Sequence, residues 1–191
     1  MTRLRTAILV LALGAGLVGV LASDAVTVGI GLRPQERAAN PATFVEIKWP
    51  FPRDQWGDGR AFRCSAADCG VEVSLYLRPK IGFCNCDTGV ADAAELDRVG
   101  DLELFSPKFV GLTNGADIRV GWMRGLSRIY QVDIPYDQPR PMLAMAFNQN
   151  CDVMVATVVA PLDRLPAAER QALAFLSGEP ILEWARAQFG I

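Results

Sequence analysis

The chain of 191 residues contains no histidine. Histidine is the commonest general acid–base residue and the commonest metal ligand in proteins. Its absence removes Ser-His-Asp and Cys-His catalysis, so an enzyme built on this chain would depend on carboxylates, a thiolate, a lysine or a cofactor. The sequence therefore favours a protein without enzymatic activity, and we expect no cofactor and no metal.

Basic clusters and nucleotide-binding motifs are also missing. The 19 lysines and arginines are scattered and are outnumbered by 21 acidic residues. A nucleic-acid-binding protein needs a basic face, so we expect no nucleic-acid partner. The chain has no P-loop, no G-x-G-x-x-G fingerprint and no G-x-S-x-G elbow, and its acidic residues lack the order of an EF-hand calcium loop.

The start of the chain has the layout of an export signal. Arg3 and Arg5 precede residues 6–23, a mostly apolar run without charge. Small residues allow cleavage after Ala22 or after Ala25, as in a signal peptide, but the run is also long enough to remain as a membrane anchor. Both alternatives place the rest of the chain outside the cytoplasm, either periplasmic or tethered to the outer face of the inner membrane, and membrane contact needs an uncleaved anchor.

We divide the chain into three parts. Residues 1–25 are the signal peptide or membrane anchor, residues 26–42 are a linker, and residues 43–191 form a single exported α+β domain. Period-two alternation and β-branched residues predict the following strands: 43–49, 61–64, 71–77, 101–105, 116–123, 127–134, 141–147 and 152–159.

Helices are predicted by their capping residues. Asp92 and Glu95 suit a capping box at the start of a short helix, 91–100. Proline near the start and glycine at the end mark two more helices, 165–178 and 179–190. Short connections favour antiparallel neighbours. We therefore predict an α+β fold, a twisted antiparallel sheet with the C-terminal helices packed on one face.

Four of the five cysteines, Cys64, Cys69, Cys84 and Cys86, lie close together in the sequence. In an oxidising compartment such a cluster predicts two disulfides. A bond between Cys84 and Cys86 would close a very small, strained ring, so we expect bonds between the 64–69 turn and the 84–86 loop. Cys151 is interpreted as a small buried thiol, with a disulfide as the alternative.

The C-x-C at 84–86 allows a second interpretation. Arg78 and Lys80 are near in sequence and would lower the pKa of an exposed thiol. Thiolates also select Cu(I). The alternative function is therefore a periplasmic thiol-redox or Cu(I)-handling protein.

A loop rich in proline and glycine combines aromatic and charged residues. Trp49, Phe51, Arg53, Trp56 and Arg60 lie along it. Such a loop can form a ligand or partner surface, but the favoured interpretation is that the rings fold back over one end of the sheet and the charges are solvated, because aromatic residues dominate small cores. We treat these residues as a candidate surface for an unknown protein or small ligand. The leading hypothesis is an exported, disulfide-stapled binding or assembly-support domain.

Overall fold

A computed structural model describes residues 43–191 of the protein. The predictions for residues 1–25 and 26–42 concern residues outside this range. Within the described part, no helix is both long enough and apolar enough to cross a membrane.

Within the described residues, eight strands form one antiparallel sheet, as predicted. Along the sheet the order is β1-β2-β3-β8-β7-β6-β4, and β5 also pairs with β6. The strands are β1 (Phe44–Ile47), β2 (Arg60–Cys64), β3 (Val73–Lys80), β4 (Phe109–Gly111), β5 (Ala116–Val120), β6 (Met123–Val132), β7 (Arg140–Gln149) and β8 (Asp152–Val159).

The same part of the chain contains four α-helices and two 3-10 turns. They are α1 (Ala66–Cys69), α2 (Ala93–Val99), α3 (Leu165–Leu176), α4 (Glu179–Phe189) and the turns Leu102–Leu104 and Leu162–Arg164. Asp92 caps α2 as predicted, because its carboxylate accepts a hydrogen bond from the backbone N–H of Glu95 at 2.8 Å. Glu95 does not complete the capping box, since its own carboxylate pairs with Arg98 instead.

Side chains alternate between the two faces of the sheet and bury both. On the helix face, Leu75, Met145 and Met154 join the core cluster that contains the buried residues of α3 and α4. On the opposite face, which we call the loop face, Ala144 and Val155 pack in a second cluster with residues of α2. The strands β7 and β8 are buried on both faces because they lie in the middle of the sheet.

Two of the predicted strands, 71–77 and 101–105, differ from the structure near the buried ion pairs of Asp101. The strand predicted to end at residue 77 continues to Lys80, where β8 pairs with it and the buried carboxylate of Asp101 pairs with both Arg78 and Lys80. The predicted strand 101–105 is wrong, since the N–H of Leu104 bonds the carbonyl of Asp101 and makes a 3-10 turn.

Three further corrections concern short elements. The predicted turn after Cys64 is the helix α1, which Ser65 caps through its side-chain oxygen and Gly70 ends with a left-handed φ of 74°. The three-residue strand β4 was missed, because so short a run has no clear period. The hairpin between β5 and β6 turns at Gly121, with a φ of 57°, and not at residues 124–126.

Candidate functional site

The disulfides join partners that the sequence did not pair. Cys64 bonds Cys69, with Cα atoms 6.0 Å apart, and Cys86 bonds Cys151, with Cα atoms 4.2 Å apart. Cys84 carries a free, buried thiol. Cys84 and Cys86 are not bonded to each other, as predicted. The expected bonds between the 64–69 turn and the 84–86 loop are wrong, and so are the inclusion of Cys84 in a disulfide and the interpretation of Cys151 as a free core thiol.

Local backbone geometry explains this pairing. The single helical turn of α1 returns Cys69 to within bridging distance of Cys64. The hairpin between β7 and β8 turns at Asn150, which adopts a positive φ of 53°, and presents Cys151 to the 84–86 loop. The N–H of Cys84 donates to the carbonyl of Cys151 at 3.0 Å.

The environment of Cys84 does not favour a thiolate. Burial raises the pKa of this thiol, and the carboxylates of Glu95 and Asp152 raise it further. Its Sγ donates a hydrogen bond to the carbonyl of Asn150 at 3.1 Å. Among residues 43–191, no three cysteine or acidic side chains form a group suited to a metal ion. Of the two cysteines in the C-x-C, Cys86 therefore belongs to a disulfide, and Cys84 is a thiol whose raised pKa favours the protonated form.

The cations expected to activate that thiol are buried in an ionic cluster. Arg78 donates from Nε and Nη2 to the two carboxylate oxygens of Asp101, at 2.9 and 2.7 Å. Lys80 Nζ lies 2.8 Å from the same carboxylate. Arg78 Nη1 also binds Asp54 at 2.7 Å. Only Asp54 is substantially exposed, so the cluster is a buried, electrically balanced network.

This ionic cluster connects the end of α2 and the loop that contains Asp54 to the loop face of the sheet. Lys80 donates to the carbonyls of Val99 and Gly100, at 2.6 and 3.1 Å, and so satisfies the C-terminal end of α2. Burial lowers the pKa of Lys80, and the Asp101 carboxylate opposes that shift. The side chain therefore depends on Asp101 to remain a buried ammonium group.

The aromatic residues of the candidate surface fold over the loop face. Trp49 contacts Phe51, with ring centroids 5.1 Å apart, and Phe51 contacts Tyr76 and Phe105 at 5.0 and 4.9 Å. Trp56 packs on a different ring, Phe83, at 4.5 Å. Most of these contacts are edge-to-face, the arrangement that aromatic pairs prefer.

The two arginines of the candidate surface lie in different surroundings. Arg60 forms an ion pair with Glu46 on β1 at 2.6 Å, and its guanidinium lies over the ring of Trp184 in α4. Arg53 is exposed and has no ion-pair partner among the described residues. The structure thus brings Trp49 and Phe51 into one aromatic group and leaves Arg53 and Arg60 outside it.

Next to this aromatic group lies a cleft of about 680 Å³, which we call the end cleft. Tyr76 and Phe105 form one side, and Met142 and Val159 come from the adjoining strands β7 and β8. Ile134 adds a further apolar side chain. The lining combines apolar and polar groups in similar measure and comes from segments that are far apart in the sequence.

A few polar groups border the end cleft. Arg140 and Asp137 form an ion pair there, and Glu72 and Ser74 lie on the β3 side. In the sequence, Glu72, Ser74 and Tyr76 alternate with apolar residues, which predicts that they lie on the same, polar side of the strand 71–77. That alternation was the signal available for these residues, because the opposite wall belongs to other parts of the chain.

No protein-family model and no curated protein sequence matches this chain. A crystal structure of PA94, a protein of unknown function from Pseudomonas aeruginosa, is similar to it, with 16% identity and a TM-score of 0.42 over 70% of this chain and 94% of that chain. At this level the likeness carries no argument about function. Fold and cysteines together define the class, a disulfide-stabilised α+β domain.

Proposed function

We propose that the protein is an exported, non-enzymatic binding domain and that the end cleft holds a small ligand with an apolar part. The observation that carries the proposal is the cleft itself. Its volume of about 680 Å³ suits a small-molecule site. Its apolar side chains from β7 and β8, together with several polar groups that could fix the orientation of a ligand, are typical of such sites.

The buried network behind the cleft supports this assignment. The ionic cluster and the aromatic group hold Phe51, Tyr76 and Phe105 in fixed positions before any ligand arrives. A preformed wall lowers the entropy that binding must overcome. The candidate surface residues Trp49 and Phe51 would then act by positioning the wall and not by touching the ligand.

Export is the second part of the proposal. Two disulfides are typical of proteins in oxidising compartments. Cell fractionation with N-terminal sequencing tests it. We expect the chain outside the cytoplasm, either beginning after Ala22 or Ala25 or retained in the membrane fraction. Recovery of the intact chain from the cytoplasm, with reduced cysteines, would contradict export.

Binding in the end cleft can be measured with N-phenyl-1-naphthylamine, a neutral fluorescent probe for apolar sites. Ser74→Trp places an indole into the cleft from β3, and we expect it to weaken probe binding at least tenfold. Val110→Trp is the control, since Val110 is 61% exposed on β4. If the wild-type protein does not bind the probe, or if both variants behave alike, the cleft is not a ligand site.

A thiol-redox function is the second candidate. The observation in its favour is that the free Cys84 lies beside the Cys86–Cys151 disulfide. The raised pKa of Cys84 opposes it, because exchange requires the thiolate. Reversible reduction of this disulfide at the redox poise of the compartment, measured by thiol counting, would support the redox function. A disulfide that stays oxidised under those conditions would support a structural role.

A further inference from the structure

A second cleft of about 540 Å³ lies on the loop face, between the β5–β6 hairpin and residues 88–91. We call it the arginine cleft, after Arg119 and Arg124 in its lining. It is separate from the end cleft. Their lining residues on β7, Asn148 and Met142, are six positions apart, which is about 20 Å along a strand.

The two arginines are direct neighbours across the hairpin. Arg119 on β5 is paired in register with Arg124 on β6, and Arg124 is paired with Asn148 on β7. Two like charges at directly opposed positions destabilise a strand pair. Both side chains are exposed, so water and salt screen part of this repulsion, and a bound anion would reduce it further.

Within residues 43–191 neither arginine has a partner in the protein. In that part of the chain, every arginine except Arg53, Arg119 and Arg124 binds a carboxylate or a backbone carbonyl. Acidic residues are plentiful, 21 against 19 basic residues in the whole chain, so intramolecular partners are not scarce. Asp117 lies in the same cleft but forms no ion pair with either arginine among these residues.

The remaining lining defines what can bind. The Asn148 side chain is already used at both ends, since it accepts from the N–H of Val90 and donates to the carbonyl of Asn150. It therefore fixes the wall of the cleft. The Thr88 hydroxyl also has a partner, since it donates to the carbonyl of Gly89 at 3.4 Å, so the two guanidinium groups are the main side-chain donors left for a ligand. Guanidinium groups match the planar geometry of carboxylate and phosphate oxygens.

We propose that the arginine cleft binds a small oxyanion, a phosphate or a carboxylate, between Arg119 and Arg124. The bound anion neutralises the two opposed charges, which is the stabilisation that the hairpin lacks by itself. Asp117 lines the same cleft, and its negative charge limits the affinity for a simple anion because like charges repel.

Isothermal titration calorimetry on the full exported protein tests this inference, with inorganic phosphate in one arm and citrate in the other. Sodium chloride keeps the ionic strength constant in both. We expect saturable binding in at least one arm, and the arm that binds identifies the source of the oxyanion. Arg119→Gln and Arg124→Gln should each weaken it at least tenfold.

Arg53→Gln is the matched control, since it removes an arginine that also has no partner among the described residues but lies on a different loop. Its affinity should equal that of the wild-type protein. Asp117→Asn should tighten binding severalfold by removing the repulsion. Absence of binding in both arms, or equal losses in the Arg53 and Arg119 variants, would overturn the proposal. Binding of N-phenyl-1-naphthylamine to the end cleft should be unchanged in all four variants, which separates this test from that of the proposed function.

Discussion

Replacing Asp101 with asparagine tests the buried ionic cluster most directly. The carboxylate of Asp101 accepts two hydrogen bonds from Arg78 and pairs with Lys80, and all three side chains are less than 10% exposed. Asparagine has nearly the same shape. It removes the negative charge and turns an N–H₂ donor towards one of the donors of Arg78 or Lys80.

The expected cost is large for a single substitution. Removing one partner of a buried ion pair destabilises a protein by about 3–5 kcal/mol, because the opposite charge is left buried without compensation. Here Asp54 still neutralises part of Arg78, whereas Lys80 loses its ion-pair partner. For a chain of this size we therefore expect the melting temperature to fall by about 6–20 °C.

The cost should also depend on pH, through Lys80. Burial lowers the pKa of Lys80 below its ordinary value of 10.5, and Asp101 opposes this shift, so Asp101→Asn lowers it further. The unfolded chain then holds the lysine proton more tightly than the folded one. The penalty is fully present below the folded-state pKa and decreases as the pH rises towards 10.5.

Urea denaturation at pH 6 and at pH 9 measures both effects. The free energy of unfolding of Asp101→Asn should fall less at pH 9 than at pH 6, relative to the wild-type protein. Asp163→Asn is the control, since Asp163 forms an exposed pair with Arg164 at 3.4 Å and should change stability by less than about 0.5 kcal/mol. A loss below about 1 kcal/mol for Asp101→Asn, or a loss independent of pH, would refute the reasoning.

Three further predictions concern the cysteines and a buried hydroxyl. In Cys86→Ser we expect Cys84 to bond Cys151, because the 3.0 Å hydrogen bond between their backbones keeps their Cα atoms within about 7 Å; peptide mapping without reductant would show this, and two free thiols would contradict it. In the native protein Cys84 should react with iodoacetamide at pH 8 at least tenfold more slowly than in urea, because burial raises its pKa, and equal rates would be evidence against this environment. The Thr157 hydroxyl is buried without a hydrogen-bond partner among the described residues, so Thr157→Val should raise the free energy of unfolding by about 1 kcal/mol in chemical denaturation, and a clear loss would show that the hydroxyl has a partner.

The regular elements could be predicted because their signals are local. A short apolar run rich in valine predicted β8 at residues 152–159, the span that the structure has. Pro166 and Pro180 predicted where α3 and α4 begin, since a proline in the first turn costs no hydrogen bond. The absence of histidine likewise removed whole classes of catalysis without any knowledge of the fold.

The disulfide pairing could not be obtained in this way. Cys86 and Cys151 are 65 residues apart and meet because the β7–β8 hairpin returns to the 84–86 loop. The same holds for Arg78 and Asp101, which are 23 residues apart in the sequence and form a buried ion pair. Residues 78–80, which follow the predicted strand 71–77, belong to β3 in the structure.

Both clefts depend on tertiary structure for a related reason. Strand register places Arg119 opposite Arg124, and sheet order places Tyr76 near Met142, which lies two strands away. A periodic pattern determines which face of a strand a residue occupies, but it contains no information on which strand becomes its neighbour. That choice is made when the two cores form, because only the assembled sheet buries the apolar residues of β7 and β8 on both faces at once.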